Sequence, residues 1–191
     1  MRKLKLQVQM TIDGFIAGPN GEMDWVTWNW DKELMSYVQE LTDSIDCIVL
    51  GRKLATGFIP YWAGVASDPD NPENAAGIKF TETPKVVFSN TLKNSEWDNT
   101  ILAKNDLVSE INALKNIPGK DIIAYGGAEF VSNLIKHNLI DDYHIFVNPA
   151  AIGSGMQIFD KLGAIHNLKL IQAKSFDCGI VLLNYNVNRL P

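Results

Sequence analysis

The sequence predicts an α/β fold, one mixed sheet with helices on both faces that ends in an antiparallel hairpin. Three observations predict it. As far as Leu139, short continuous apolar runs of the kind that form buried parallel strands alternate with segments of helical spacing. Beyond Leu139 the helical spacing gives way to two long strand-like runs around Asp177-Cys178-Gly179, the pattern of an antiparallel pair. The chain has 191 residues, which suits a single domain with a sizeable core.

Leu4 to Met10 alternates apolar and polar residues and predicts a half-buried strand, stopped by Thr11-Ile12-Asp13-Gly14. A loop rich in Gly, Asn and Trp follows from Gly14 to Trp30. Asp31 then opens a helix whose apolar face is Leu34, Tyr37, Val38 and Leu41. Cys47 to Leu50 is a buried strand ending in Gly51, and Arg52 to Phe58 opens a second helix. The turn-rich stretch Pro60 to Gly77 reads as a surface loop. Val86-Val87-Phe88 is a buried strand and Ile101 to Ala103 a further one. Asp106 to Leu114 is a short amphipathic helix stopped by Pro118-Gly119. Ile122 to Tyr125 is a strand that runs into Gly126-Gly127, and Phe130, Val131, Leu134 and Ile135 form a helical face directly after it. Tyr143 to Val147, Leu168 to Phe176 and Ile180 to Val187 complete the strands.

Composition excludes several classes of function. Hydrophobic residues make up 46% and charged residues 20%, as in folded globular domains. A net charge of -5 argues against nucleic acid or an anionic membrane as the main partner. No apolar run approaches the roughly 20 residues that span a bilayer, and Met1 to Met10 lacks the apolar stretch of a signal peptide. Cys47 and Cys178 lie apart in apolar runs and read as reduced thiols, so a cytoplasmic protein is expected. No CxxC or Cys/His cluster suggests a metal, and His137, His144 and His166 lack ligand spacing.

Candidate chemistry sits where the strands end. In open α/β sheets ligands bind beyond the carboxyl ends of the strands, here Gly51-Arg52, Ser89-Asn90 and Gly126-Gly127. Gly126-Gly127-Ala128 joins a strand to a helix without a spacer, which lets backbone N–H groups face an anion. GxGxxG, GxxxxGK[ST] and GxSxG are all absent, so the ordinary dinucleotide, P-loop and hydrolase motifs do not apply. Arg52 and Lys53 at a helix start oppose its dipole and call for an anion or for solvent. Asp13, Asp31 and bound water are the candidate proton donors, with a turn former and a helix cap as the structural alternatives for the two acids. Trp25, Trp28 and Trp30 crowd the first loop and are expected to line a pocket for a flat ring or to pack on a partner subunit, with ordinary loop packing as the structural alternative.

Several of these motifs share one frame. Thr11-Ile12-Asp13-Gly14-Phe15-Ile16-Ala17-Gly18, Met23-Asp24-Trp25 and Leu50-Gly51-Arg52-Lys53 resemble the N-terminal half of the dihydrofolate-reductase-like fold. Pro84 to Leu92 resembles its adenine-side strand and turn, and Tyr125-Gly126-Gly127-Ala128 its glycine pair. Leu139-Ile140-Asp141-Asp142 and Pro149 to Gly155 resemble the RibD C-terminal branch, which includes the reductase of the bifunctional riboflavin-biosynthesis enzyme.

The resemblance implies a three-layer fold, one domain over residues 1–191, and an NADPH-dependent reductase acting on a small heterocyclic, pyrimidine-like or pterin-like substrate. 5-Amino-6-(5-phosphoribosylamino)uracil reductase is the likeness. Another reductase substrate, such as a folate or an unrelated carbonyl, and a nucleotide-binding module without turnover are the alternatives. By the same resemblance, Gly51, Arg52 and Lys53 hold cofactor phosphates, and Ser89 and Thr91 meet the adenosine side. Gly126, Gly127, Ala128 and Glu129 form the pyrophosphate turn, and Gln9, Ile16 and Ala17 meet the nicotinamide. Leu54 stands where the family often has threonine. Family members are often homodimers, and the apolar run Ile180-Val181-Leu182-Leu183 gives a second copy something to cover.

Overall fold

Leucines fill one side of the first strand, β1 (Leu4–Thr11), and polar side chains fill the other. Leu4, Leu6, Val8 and Met10 are buried while Lys5, Gln7 and Gln9 are partly buried. The computed structural model of the chain describes residues 1–187. The remaining strands are β2 (Ile45–Gly51), β3 (Lys85–Phe88), β4 (Thr100–Leu102), β5 (Asp121–Tyr125), β6 (Asp142–Asn148), β7 (Leu168–Ser175) and β8 (Val181–Val187). They form one sheet of order β4-β3-β2-β5-β1-β6-β8-β7. Pairing is parallel from β4 through to β6 and antiparallel at β6–β8 and β8–β7. Helices join the successive parallel strands except β3 and β4, which residues 89–99 connect without one, whereas β7 and β8 need only the turn at Asp177 to Gly179, where Gly179 takes φ 91°.

Five helices, α1 (Lys32–Asp43), α2 (Arg52–Ser67), α3 (Asn74–Glu82), α4 (Leu107–Asn116) and α5 (Ala128–Lys136), cover the two faces. Leu4, Leu6, Ile122, Ala124 and Tyr143 form one core with Ile111 of α4 and with Val131 and Leu134 of α5. Ile48, Leu50, Val87 and Ile123 form the opposite core with Leu41 of α1, Ala55 and Ile59 of α2, and Phe80 of α3. The three-layer α/β architecture expected from the sequence is therefore present. No helix among the described residues is long and apolar enough to cross a membrane.

Two expectations need correction. The stretch from Pro60 to Gly77 is not a surface loop. α2 runs through Pro60 to Ser67, and α3 follows after a short turn. Proline inside a helix removes one hydrogen bond and costs roughly 3 kcal/mol, but Pro60 is exposed, while Ile59 and Val65 on the inner side are buried. Packing holds the helix together across the break. Trp62 meets Phe80 with ring centroids 4.5 Å apart, and a Cβ at Gly77 would stand 2.6 Å from the Ala66 nitrogen, so only glycine lets the two helices approach this closely. The second correction concerns the apolar run in β8. Ile180 and Leu182 are covered by α1 through Leu34, with Phe146 and Phe176 beside them. On the edge strand β7 the exposed large apolar residues are Leu170 and Ile171.

His144 of β6 is a structural histidine, as its strand pattern suggests. Its Nδ1 lies 2.7 Å from the Tyr37 hydroxyl and 3.4 Å from Asn184 Nδ2, both able to donate to it. Burial, aided by the charges of Lys5 and Lys3, pushes the imidazole pKa down to about 4. The folded pKa lies below the unfolded value, so stability from the neutral ring is full above about pH 6.5 and is lost as pH falls toward 4. Between pH 6.5 and 5 this amounts to roughly 2 kcal/mol. Urea unfolding at those two pH values is expected to show a smaller loss for His144→Gln than for the wild type. Equal losses would remove His144 as the source.

Candidate functional site

The carboxyl ends of β1, β2, β3 and β5 open onto one cleft of about 2610 Å³. Its shape is set by two strand-to-helix turns on adjacent strands. At the first, Gly51 ends β2 and α2 begins at Arg52 without a side-chain cap. A Cβ on Gly51 would lie 2.8 Å from Phe130 Cβ, so glycine is needed for α2 and α5 to start side by side. At the second, Gly126 and Gly127 take φ 56° and 80° between β5 and α5, which also starts without a side-chain cap. α1 and α4 differ. Asp31 accepts from the Leu34 N–H in one, and Asp106 from the Val108 and Ser109 N–H groups in the other.

Around these turns the cleft gathers nearly every cofactor residue expected from the resemblance. Arg52 and Lys53 line it at the start of α2, and Ala128 and Glu129 at the start of α5. No ion pair ties Arg52 or Lys53 among the described residues. Ser89 and Thr91 line it beyond β3, where Ser89 Oγ accepts from the Thr91 and Leu92 N–H groups at 3.1 and 2.9 Å and shares a hydrogen bond of 3.4 Å with Thr91 Oγ1. Gln9, Ile16 and Ala17 line the opposite end. Gln9 Oε1 accepts from Asn148 Nδ2 at 2.7 Å, and Asn148 Oδ1 accepts from the Thr27 N–H at 2.9 Å, which fastens the tryptophan loop to the sheet. Ile16 and Ala17 are held by antiparallel bonds to Met156, Ile16 N–H to its carbonyl and Met156 N–H to the Ala17 carbonyl.

The two candidate acids lie elsewhere. Asp13 and Asp31 are absent from the cleft lining. Asp13 Oδ2 accepts from the Ile152 and Gly153 N–H groups at 3.1 and 2.7 Å. Asp31 caps α1 through Oδ1 and accepts from the Cys178 N–H at 3.1 Å through Oδ2. Hydrogen bonding, from the Thr11 side chain first for Asp13 and the Leu34 N–H first for Asp31, holds both carboxyls below their usual range. Geometry and electrostatics thus favour ionised staples over proton donors. The tryptophans divide. Trp28 and Trp30 stack at 6.1 Å and line the cleft, whereas Trp25 does not line it and its buried Nε1 has no partner.

Three lining features escaped the sequence reading. Tyr61 and Trp62, which form one wall with Phe58, lie in the stretch read as loop. Tyr125 precedes the glycine pair with its hydroxyl buried beside the Thr42 side chain but without a hydrogen bond of normal geometry, and desolvation raises its pKa. Gln7 also lines the cleft. The signal for Gln7 was present, since a central parallel strand rarely carries polar side chains.

The family model of the RibD C-terminal domain matches residues 2–182. The chain is 34% identical over 191 residues to protein YyaP of Bacillus subtilis, covering 98% of this chain and 96% of the relative. A solved structure from Shewanella sp. PV-4, named for riboflavin biosynthesis, superposes with a TM-score of 0.73 at 23% identity, covering 99% of this chain and 100% of the other. The diaminohydroxyphosphoribosylaminopyrimidine deaminase/5-amino-6-(5-phosphoribosylamino)uracil reductase of Thermotoga maritima gives 0.70 at 17% identity, over 97% of this chain and 56% of that one. At these identities the two structures speak to the fold.

The glycine turn can be tested directly. Gly127→Ala places an L-residue at φ 80° and is expected to lower the unfolding free energy by roughly 1–2 kcal/mol in urea. Gly51→Ala drives a methyl group into Phe130 and is expected to cost roughly 1–3 kcal/mol. Wild-type stability in both variants would show that the turns relax freely.

Proposed function

The chain belongs to the RibD C-terminal domain family, and on that premise we propose that it is an NADPH-dependent reductase acting on a small heterocyclic ring of the pyrimidine or pterin kind. One observation carries the reading most. Two helices on adjacent strands, α2 and α5, begin on glycine with their first N–H groups uncapped and open to the same cleft. Such ends attract phosphate. The residues fit a dinucleotide phosphate along their whole line. Gly126, Gly127, Ala128 and Glu129 would hold the pyrophosphate by backbone N–H groups. Arg52 and Lys53, with the Ser89 and Thr91 hydroxyls, would hold the adenosine-side phosphate. Gln9, Ile16 and Ala17 would bound the nicotinamide.

When bound, the cofactor supplies the hydride. The protein's part is placement, a dry wall and access for a proton. Ile16 and Ala17 are fixed by the Met156 bridge, so they present a rigid apolar edge. Trp28 and Trp30 stand at the cleft mouth as the side wall for a flat ring. Since Asp13 and Asp31 are spent on backbone N–H groups, the reading takes the proton from water in the cleft. The free thiols Cys47 and Cys178 suit a reducing, cytoplasmic setting.

Arg52 is the sharpest test. A charge-assisted hydrogen bond is worth roughly 1.5–3 kcal/mol, so Arg52→Ala should weaken NADPH binding roughly 10- to 100-fold. NADH lacks the 2′-phosphate and should change little. Calorimetric titration of both cofactors into both proteins reads this out. Equal losses would move Arg52 to the shared pyrophosphate, and wild-type protein that binds neither cofactor would end the reading.

The reading also includes a homodimer in which a second copy covers Leu170 and Ile171 on the edge strand β7. Light scattering at micromolar concentration should give about twice 21.2 kDa. A mass near 21.2 kDa would overturn it.

A further inference from the structure

One row of side chains across the sheet remains unused. Gln7 of β1 pairs in register with Tyr125 of β5 on one side and His144 of β6 on the other. In-register neighbours project from the same face, here the face that α1 covers through the Tyr37–His144 contact. Gln7 Oε1 and His144 Nε2 are buried without a hydrogen-bond partner, and Tyr125 Oη is buried with the Thr42 side chain beside it but no hydrogen bond of normal geometry. Other polar groups on this face are matched. Lys5 Nζ meets Ser44 Oγ at 2.8 Å and Asp121 at 3.0 Å. Gln9 meets Asn148, and Asn184 donates to the Tyr143 carbonyl at 3.0 Å. Three of the five unmet buried atoms among the described residues therefore share a single row, Trp25 Nε1 and Thr81 Oγ1 being the other two, and Gln7 and Tyr125 of that row line the cleft.

A buried polar atom without a partner costs free energy that an apolar side chain of similar size would not. Leucine or valine would suit a central strand better at position 7. The amide is explained if something outside the protein completes it. Its chemistry limits what that is. A glutamine amide offers one acceptor and two donors in a plane, the complement of a ring N–H beside a ring C=O. The terminal torsion of glutamine is broad, so the amide can turn its oxygen or nitrogen into the cleft. Tyr125 stays protonated under desolvation and adds a neutral donor. Phe58 stacks on Tyr125 with centroids 5.4 Å apart and supplies a flat apolar neighbour.

We propose that Gln7, with Tyr125 beside it, reads the lactam edge of the substrate ring, so that the protein selects a neutral heterocycle carrying an unsubstituted ring N–H next to a carbonyl. This rests on the reductase reading for the term substrate, although the hydrogen-bonding edge is a property of the cleft alone. His144, in register with Gln7 on β6, does not line the cleft.

The probes are 5,6-diaminouracil, which has the edge, and 1,3-dimethyl-5,6-diaminouracil, which has it blocked. Both are titrated calorimetrically into wild type, Gln7→Leu and Tyr125→Phe, with and without NADPH. Wild type is expected to prefer the unblocked ring by about tenfold or more, and Gln7→Leu to bring the ratio near one. Tyr125→Phe should lower the ratio without abolishing it. A merely structural role for Gln7 would weaken both rings alike. The thermal midpoint of Gln7→Leu should stay level or rise, because an unmet polar atom is removed. If Gln7→Leu fails to fold, Tyr125→Phe decides the comparison. The proposal is overturned if wild type binds both rings equally or binds neither, or if the variants keep the preference. Failure of NADPH to bind wild type would instead overturn the reductase reading, while the ring comparison without cofactor still judges the role of Gln7.

Discussion

β1 carries two incompatible demands, and most of the architecture answers to them. It is hydrogen-bonded in parallel on both edges, to β5 and β6, and so lies in the middle of the sheet. Its even residues are sealed into the core with α4 and α5, Leu4 and Leu6 completely. Its odd residues are Lys5, Gln7 and Gln9, which cannot be buried against plain hydrocarbon without loss. The α1 layer therefore brings polar partners to them. Ser44 just past α1 meets Lys5, Asn148 at the end of β6 meets Gln9, and Tyr37 of α1 meets His144 in the row of Gln7. A one-residue register slip would send these polar groups into the leucine core. The same alternation that fixes the register thus also delivers polar side chains to the cleft.

The loops at the carboxyl edge are held by carboxylates and amides rather than by apolar packing. Asp13 ties the turn after β1 to the loop at Ile152 and Gly153, and Asp31 ties the start of α1 to the β7–β8 turn at Cys178. Asn148 bridges Gln9 and Thr27. Each side chain satisfies backbone N–H groups that irregular loops would otherwise leave open. Such staples leave the cleft walls stiff while keeping the cleft itself free of their charge.

This bears on what was legible in the sequence. The strands were, because continuous apolar runs such as Cys47 to Leu50 and Ile122 to Tyr125 are hard to place anywhere except in a buried sheet. So were the glycine turns and the basic pair, since Gly126-Gly127 and Arg52-Lys53 carry their conformational and charge requirements locally. The helical hairpin of α2 and α3 was hidden by Pro60 and by the polar segment around Asp70. Its cause is tertiary, the interlocking of Phe58, Trp62 and Phe80 against β2 and β3. The roles of Asp13 and Asp31 were hidden for a different reason. A helix-capping carboxylate and a proton-donating one have the same letter, and only their partners, 139 or more residues away for the long-range ties, separate them.

The helix ends carry the last step. α1 and α4 spend an aspartate each on their own first turns, Asp31 and Asp106, and so neutralise the positive end of the helix from within. α2 and α5 spend nothing: their caps are Gly51 and Gly127, and α2 even adds Arg52 and Lys53 at its positive end. In a chain with a net charge of -5, leaving two such ends and two cations together at one cleft is locally unfavourable. α3 also lacks a side-chain cap, with Glu73 at its N-cap position, but it adds no cation to its first turn. On the proposed reading an anion from outside completes the electrostatics at these two ends, along β2 and β5, beside the row that contains Gln7.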